Sequence, residues 1–298
     1  MNTSKSNTLS CSTSKSNAVP VLGGKQSAFT LIELLVVVAL IALLMGVLMP
    51  ALRRARDAGR RTVCLSNVRS LTQAWSMYAD ENDNKIINAN AVRIQQTGPG
   101  TYTWASGNPT WVGVWAGPYN LEALEAAITI GLFYPYVKTI AAYKCTNHKF
   151  LSKFIQPGSN PITQYADMRI RSYSIVDSLH GATSYGGQPI TSRSQIKNHS
   201  EKMVFFDRGA EGQAGWSIYP QTERFFNPPG IQHSKGTVVS FADGHSEYWK
   251  WEDPRTVMFS EEWFKGSAAN SVAYAKDNPD FMRLLRATWG LDQFERGP

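Results

Sequence analysis

The sequence predicts an α+β fold in which one long N-terminal helix precedes an antiparallel β-sheet with long loops and a C-terminal helical extension. Three observations lead to this prediction. Residues 29–49 form a long apolar run, residues 51–85 keep a helical apolar period, and several short β-prone segments lie within residues 172–251. Composition does not decide the fold class, because 43% hydrophobic and 18% charged residues are ordinary for a globular protein.

Residues 1–28 are predicted to be an unstructured, positively charged leader. They are rich in Ser, Thr, Asn and Lys, contain no acidic residue and show no apolar period. The leader lysines and an arginine run at 53–61 hold much of the basic excess behind the net charge of +7. Because this charge is concentrated at two places, it does not indicate a nucleic-acid partner.

Residues 29–50 are predicted to be a transmembrane helix. At the helical rise, the apolar run spans about 31 Å, close to the thickness of a bilayer's hydrocarbon core. The run is also longer than the apolar core of a secretory signal peptide. Glu33 stands near its start, and an ionisable residue inside a membrane span indicates a functional role. The alternative is a carboxylate that merely lies at the level of the lipid headgroups.

The helical pattern continues over residues 51–85 as an amphipathic half. Apolar side chains recur there at spacings of three and four, which places them on one face directed at a core. These residues are Cys64, Val68, Leu71, Trp75 and Tyr78. Pro50 is expected to kink or locally melt the helix where the two halves meet. The helix is expected to end in an acidic and amide-rich segment at 80–84. This segment has oxygen ligands suited to calcium, but it lacks the Gly and Glu that an EF-hand loop requires, so a solvated helix end is favoured.

Residues 86–252 are predicted to form the sheet domain. Its first part, residues 86–120, has the Gly, Asn, Pro and Trp content of a long loop region, and a short helix is expected at about 120–130. Strands are expected at 172–176, 203–206, 237–241 and 246–251. Asp243-Gly244 favours a tight hairpin turn between the last two strands.

The C-terminal extension, residues 253–298, is predicted to be helical in two places. Asn278 and Pro279 are a start signal for the second helix, because the amide caps the helix and Pro suits its first position.

The segment Ala28-Phe29-Thr30-Leu31-Ile32-Glu33 resembles the class III prepilin signal, whose usual form is Gly-Phe-Thr-Leu-Ile-Glu. Five of the six positions match, and Ala28 replaces the usual Gly. The resemblance implies that a prepilin peptidase cleaves between Ala28 and Phe29 and methylates the new amino group. It also implies that Glu33 meets the N-terminal ammonium of a neighbouring subunit and sets the register of assembly. Pro50 would become mature residue 22, where type IV pilins often carry a helix-breaking proline.

The same resemblance implies a pilin-like fold and a structural function, as a minor pilin or a type II secretion pseudopilin. The expected partners are the prepilin peptidase, other pilin or pseudopilin subunits bound through the N-terminal helix, and membrane lipid. The chain would span the bacterial inner membrane once, with a cytoplasmic leader and an extracytoplasmic C-terminal domain. The arginine run at 53–61 would then lie outside, against the positive-inside rule, whereas the leader lysines favour the inside.

A second resemblance rests on His233, which is followed after nine residues by Asp243-Gly244. This spacing is similar to the H-X9-DG motif of a prepilin-associated domain. Other similar segments bring the resemblance to residues 28–251; they are residues 50–56, 64–67, 78–82, 131–136 and 143–145. His233, Asp243 and His245 have ligand types suited to a metal, but a structural hairpin is favoured because Asp243 occupies the turn, so no metal site is expected.

The three cysteines leave one pair after cleavage, because Cys11 lies in the leader. Cys64 is on the helix face directed at the core, and Cys145 follows a β-like segment. Both would lie outside the cytoplasm, where an oxidising compartment favours a disulfide. We therefore predict a disulfide between Cys64 and Cys145; the alternative is two buried free thiols.

No catalytic constellation is found, so neither an enzyme activity nor a cofactor is expected. His148, His180 and His199 are scattered in loop-like contexts. Two other functions stay open. The chain could be an adhesin or ligand-binding subunit that uses Trp-rich loops between residues 104 and 115, or a membrane-anchored metal-binding enzyme that uses His233 and His245.

Overall fold

The computed structural model describes residues 30–90, 92–104, 109–115, 121–147, 171–180, 189–208, 215–219, 221–265 and 271–290. The predicted leader, the cleavage pair Ala28-Phe29, Cys11 and His148 lie outside the described residues. By its internal contacts the chain divides into two units, Met1–Ala51 and Leu52–Pro298.

The first helix, α1, spans Leu31–Glu81 and belongs to both units. It stays helical through Pro50, so the local melting that was one of the two expected effects of this proline does not occur. A proline ring crowds the carbonyl four residues earlier, which here belongs to Gly46, and the backbone of a glycine adjusts without a side-chain clash.

In the first unit, every described residue of α1 is exposed. The large apolar side chains between Leu31 and Met49 have exposed fractions of 46–81%. A helix that is apolar on all sides and covered on none is typical of a segment that lies in lipid or packs against other helices.

In the second unit, α1 buries one face. The buried residues include Cys64, Val68, Leu71 and Trp75, as the sequence predicts, while Tyr78 is half-buried against the same core. The sequence does not place the end of this helix to the residue, but the observed end at Glu81 lies inside the predicted acidic segment. Arg193 binds that end, where it forms an ion pair with Asp80.

A small three-stranded sheet occupies the region predicted to be mainly loop. Its strands are β1 (Val92–Gly98), β2 (Thr101–Trp104) and β3 (Gly113–Trp115). The strand order is β2-β1-β3, with β1 antiparallel to β2 and parallel to β3. Two helices follow, the predicted α2 (Leu121–Thr129) and the short α3 (Tyr134–Val137).

The main sheet has five strands, which are β4 (Tyr173–Val176), β5 (Met203–Asp207), β6 (Gly215–Trp216), β9 (Gly236–Phe241) and β10 (Ser246–Lys250). Their order in the sheet is β10-β9-β5-β4-β6. A separate two-stranded ribbon contains β7 (Ile218–Tyr219) and β8 (Arg224–Phe225). All pairs of the main sheet are antiparallel except β4 with β6. The predicted α+β fold class is confirmed.

The C-terminal extension holds three described helices where the sequence predicts two. They are α4 (Pro254–Phe264), α5 (Ser271–Ala275) and α6 (Pro279–Trp289). The predicted start of α6 is confirmed, since Asn278 accepts hydrogen bonds from the backbone N–H groups of Asp280 at 2.8 Å and Phe281 at 3.2 Å. Apolar residues of α6 join the same core as α1 and the main sheet, so the extension is part of the second unit.

Candidate functional site

The N-terminal turn of α1 is held by a reciprocal capping box between Thr30 and Glu33. The backbone N–H and the hydroxyl of Thr30 donate to Glu33 Oε2 at 2.9 and 2.8 Å. The backbone N–H of Glu33 donates to Thr30 Oγ1 at 3.3 Å. This contact was not predicted, although the Thr-x-x-Glu spacing is the sequence signal for it. In the isolated chain, Glu33 thus stabilises the start of its own helix.

Among the described residues, α1 is the one helix that is long and apolar enough to cross a bilayer. The segment that meets this test is wholly uncovered by the rest of the protein. Backbone groups inside a helix are satisfied without water, which is the requirement for a membrane span.

The second unit contains a buried cluster of four ligand-type side chains. Cys64 comes from α1, Cys145 follows a 3-10 turn at Ile140–Tyr143, Asp207 ends β5, and His233 lies in the turn before β9. All four residues have an exposed fraction of 0%. One ligand atom from each side chain lies within 4.8 Å of the other three.

The closest contacts in this cluster join the sulfurs and the imidazole. Cys64 Sγ and Cys145 Sγ are 3.3 Å apart, and Cys145 Sγ is 3.1 Å from His233 Nε2. His233 Nε2 is 3.6 Å from Asp207 Oδ2. The structure thus brings Cys64 and Cys145 together, but as free thiols and without the predicted disulfide. The sulfurs are in contact and not at the roughly 2.05 Å of an S–S bond.

Backbone N–H groups point at both sulfurs. Thr146 N–H donates to Cys64 Sγ, and Asn147 N–H donates to Cys145 Sγ, each at 3.4 Å. The backbone of His233 is fixed as well, because the Tyr248 hydroxyl donates to its carbonyl at 2.8 Å. These bonds hold the ligand atoms in place from outside the cluster.

The ionisable groups of the cluster shift one another's pKa values. The hydrogen bond to Cys145 lowers the pKa of Cys64 to about 4 against the opposing effect of burial, and His233 adds to this. The same thiol contact and burial raise the pKa of Cys145. Burial raises the pKa of the Asp207 carboxyl. Burial disfavours the charged form of His233, but Asp207 and Cys64 outweigh it and raise its pKa to about 9.

The cluster leaves polar atoms without hydrogen bonds. Within the described part of the chain, neither carboxylate oxygen of Asp207 has a hydrogen-bond partner, nor does Nδ1 of His233. His233 Nε2 faces Asp207 Oδ2 at an ion-pair distance of 3.6 Å, but a buried carboxylate that accepts no hydrogen bond is still costly.

The predicted hairpin at Asp243-Gly244 is confirmed. Gly244 has a φ of 93°, and β9 and β10 pair from Ser240 and Ser246 outward. Asp243 Oδ1 lies 2.6 Å from His245 Nδ1, and both side chains are partly exposed at the turn.

His233 is not part of that surface pair but of the buried cluster. The set of ligands considered from the sequence, His233 with Asp243 and His245, is thus replaced by His233 with Cys64, Cys145 and Asp207. Sequence reasoning missed Asp207, whose one signal is a carboxylate at the end of the apolar strand Met203–Asp207.

Two other predicted features are local structure. His180 Nδ1 lies 2.9 Å from the Ile86 carbonyl oxygen, and the half-buried His199 accepts the Asp243 N–H on its own carbonyl at 3.2 Å. Trp111 is fully buried and donates from Nε1 to the Ala89 carbonyl at 3.0 Å, so it is core and not a ligand-binding surface. The side chains of Trp104 and Trp115 lie outside the described residues.

Comparison with known families identifies the N-terminal segment. A family model described as the prokaryotic N-terminal methylation motif matches residues 23–49. The match includes the predicted cleavage pair Ala28-Phe29, Glu33 and the apolar run of α1. The chain carries a prepilin-type methylation signal. No curated protein and no solved structure matches the chain.

The methylation signal supports a type IV pilin-like family and processing by a prepilin peptidase. The matched segment contains the exposed apolar half of α1, whose length and composition suit a single-pass membrane anchor. The signal ends at residue 49, so the buried cluster and the H-X9-DG motif lie in the part of the chain beyond it.

Proposed function

We propose that this chain is a structural subunit of a pilus- or pseudopilus-type filament, as a minor pilin or a type II secretion pseudopilin. The prepilin peptidase would remove residues 1–28, and the apolar half of α1 would anchor the subunit in the inner membrane before assembly. The second unit would then face the extracytoplasmic side, and the role of the protein would be assembly rather than turnover.

The observation that carries this proposal is the coincidence of the methylation signal with a fully exposed apolar helix. The match covers residues 23–49, and every described residue from Thr30 to Ala51 is exposed. A soluble protein does not leave an apolar surface of this size uncovered. Lipid before assembly and the helices of neighbouring subunits after assembly would both cover it.

The adhesin alternative has less support. It relies on aromatic loops, and Trp111 is unavailable because it lies in the core. The enzyme alternative relied on His233 acting with His245, and these two histidines occupy different environments, one buried and one at the surface turn.

Cleavage is the first test of the proposed function. In cells with an active prepilin peptidase, we expect the mature chain to begin at an N-methylated Phe29, because the signal and the change from polar to apolar sequence meet at that bond. Intact-mass and N-terminal peptide mass spectrometry would measure this. Ala28→Gly should be processed at least as well as the native chain. A chain that keeps its leader in such cells would contradict the proposal.

Assembly through Glu33 is the second test, and the capping box allows two possible roles of this residue to be separated. Glu33→Gln keeps a residue type that serves in capping boxes but removes the charge. Thr30→Val removes the cap and keeps the carboxylate. If the carboxylate sets the register of assembly, Glu33→Gln should be cleaved but largely absent from filaments, whereas Thr30→Val should assemble.

Quantitative immunoblots of sheared or cross-linked filaments, normalised to the membrane pool, would measure incorporation of both variants. Equal incorporation of Glu33→Gln and the native chain into filaments would contradict a role of the Glu33 carboxylate in assembly. Loss of assembly in Thr30→Val alone would assign Glu33 to capping.

A further inference from the structure

We propose that Cys64, Cys145, Asp207 and His233 bind a zinc ion that joins α1 to the main sheet. This site is independent of the N-terminal signal and of the proposed role in assembly. It lies wholly within the second unit.

The distances between the ligand atoms are close to those around a tetrahedrally coordinated ion. With Zn–S bonds of about 2.3 Å and Zn–N or Zn–O bonds of about 2.0–2.1 Å, ligand atoms at the corners stand roughly 3.3–3.8 Å apart. Three edges of the cluster measure 3.3 Å between the sulfurs, 3.1 Å between Cys145 Sγ and His233 Nε2, and 3.6 Å between His233 Nε2 and Asp207 Oδ2. A small outward movement of the sulfurs would admit the ion.

The chemistry of the ligand set selects the ion. Two thiolates, one imidazole and one carboxylate in a tetrahedral arrangement suit Zn²⁺ better than the oxygen-seeking Mg²⁺ or Ca²⁺. Binding requires both sulfurs as thiolates and His233 Nε2 without its proton, so any protons that these atoms hold would be released to solvent. The ion would then neutralise two of the three negative charges on the thiolates and Asp207. It would also bind the Asp207 carboxylate, which accepts no hydrogen bond within the described residues and faces His233 Nε2 at 3.6 Å.

The surroundings of the sulfurs are those of thiolates. Two backbone N–H groups, from Thr146 and Asn147, donate to the two sulfurs. Donors of this kind stabilise negative charge on a ligand and orient it toward the metal. A disulfide has no charge for these groups to stabilise.

Complete burial is typical of a structural zinc site and not of a catalytic one. All four residues have an exposed fraction of 0%, so no open coordination position faces solvent, as a catalytic zinc would need. The four ligands come from four separate segments of the chain, spread from Cys64 to His233. The ion would therefore act as a crosslink between the helix, a loop and the sheet. A disulfide would join only two of these segments and would exclude the metal, so the two uses of the thiols are mutually exclusive.

Metal content is the direct test. The full chain with Cys11→Ser, which removes the leader thiol, would be purified from membranes in a nonionic detergent without chelator. We expect one zinc per chain by plasma mass spectrometry and no disulfide-linked peptide by non-reducing mass spectrometry. Exchange with Co²⁺ should give the visible bands of tetrahedral cobalt and a thiolate-to-cobalt charge-transfer band.

Variants identify the ligands. Cys64→Ser and His233→Gln should each lower zinc affinity by more than the roughly 100-fold that loss of an outer partner costs. His245→Gln is the matched control, because His245 belongs to the surface turn, and it should keep one zinc per chain. If a ligand variant fails to fold, the metal content and the cobalt spectrum of the chain that keeps all four ligands still show whether zinc is bound.

Either of two results would overturn the proposal. One is a Cys64–Cys145 disulfide in the isolated protein, which would establish the bond predicted from the sequence instead. The other is two free thiols with less than about a tenth of an equivalent of zinc and no tetrahedral cobalt spectrum after Co²⁺ is added to the reduced chain.

Discussion

Lys202 carries a buried ammonium group. The free-energy cost of burying its charge should make the stability of the protein depend on pH. Its ammonium donates to Ser178 Oγ at 2.8 Å and to the Thr288 carbonyl near the end of α6. Burial lowers the pKa of Lys202 from its ordinary 10.5 to about 7. Between these values the unfolded chain holds a proton that the folded chain releases. The free energy of unfolding should therefore rise with pH from about 7 to 10.5 through this residue.

Lys202→Met should remove this dependence. At pH 7 we expect the variant to be more stable than the native chain, because no ammonium has to be desolvated, while the Ser178 hydroxyl still donates to Thr288. Its advantage should shrink by about 1.4 kcal/mol per pH unit between pH 7.5 and 10.

Chemical unfolding at several pH values, followed by circular dichroism, would measure the advantage of Lys202→Met. The exposed Lys197→Met is the matched control and should leave the slope unchanged. An advantage that stays constant with pH would contradict the assignment to Lys202.

The four side chains of the buried cluster differ in how far the sequence predicts them. The paired burial of Cys64 and Cys145 was predictable, since one lies on a periodic helix face and the other in a segment expected to pack over it. His233 was found through its spacing to Asp243-Gly244. Asp207 was not predictable, because nothing in a five-residue apolar strand tells which distant residues its last side chain meets. The cluster exists only once β5 and β9 pair.

Among the secondary-structure elements, α6 is capped by a side chain with several partners, that of Asn278. Its Oδ1 accepts from the first turn of α6, and its Nδ2 donates to the Tyr274 carbonyl at 2.8 Å and to Thr256 Oγ1 at 3.0 Å. The residue is fully buried. It therefore caps one helix and at the same time links α4, α5 and α6.

Asn278→Ala should lower the free energy of unfolding by about 2–4 kcal/mol, which combines the loss of a cap with buried groups left unpaired. Asn278→Ser keeps a capping oxygen but loses the bond to the Tyr274 carbonyl, so an intermediate loss is expected. Thermal unfolding of both variants would show which of the two is less stable. A Ser variant less stable than the Ala variant would show that capping is not the main contribution.

The elements that could be predicted are those with a sustained pattern. The two halves of α1, α2 and the β9-β10 hairpin follow from periodicity and from one turn signal. Strands β3 and β6 have three and two residues, which is too short for any period to be read. Each also pairs in parallel with its neighbour, an arrangement that depends on long connections and not on local sequence.

For the whole molecule, the two units differ in what they bury. Every buried residue of the core lies at or beyond Cys64, and the described residues of the first unit are all exposed. The first unit thus contributes length and an apolar surface, whereas the second contains the core, the sheets and the proposed zinc site. This division matches the proposed function, in which one part packs in the membrane or filament and the other folds outside it.

Residues 52–298 should fold without the first unit. Removing residues 1–51 takes away no buried side chain among those the structure describes, and it removes the exposed apolar surface that would drive aggregation. We expect a soluble monomer with cooperative unfolding and a Tm within a few degrees of the full chain in detergent, measured by size-exclusion chromatography and circular dichroism.

A chain that begins at residue 72 is the matched control. It lacks Cys64, Val68 and Leu71, each with an exposed fraction of 0%, and should fail to fold because a large part of the helix–sheet contact is lost. Aggregation of the 52–298 chain, or equal folding of both truncations, would contradict the division at Ala51.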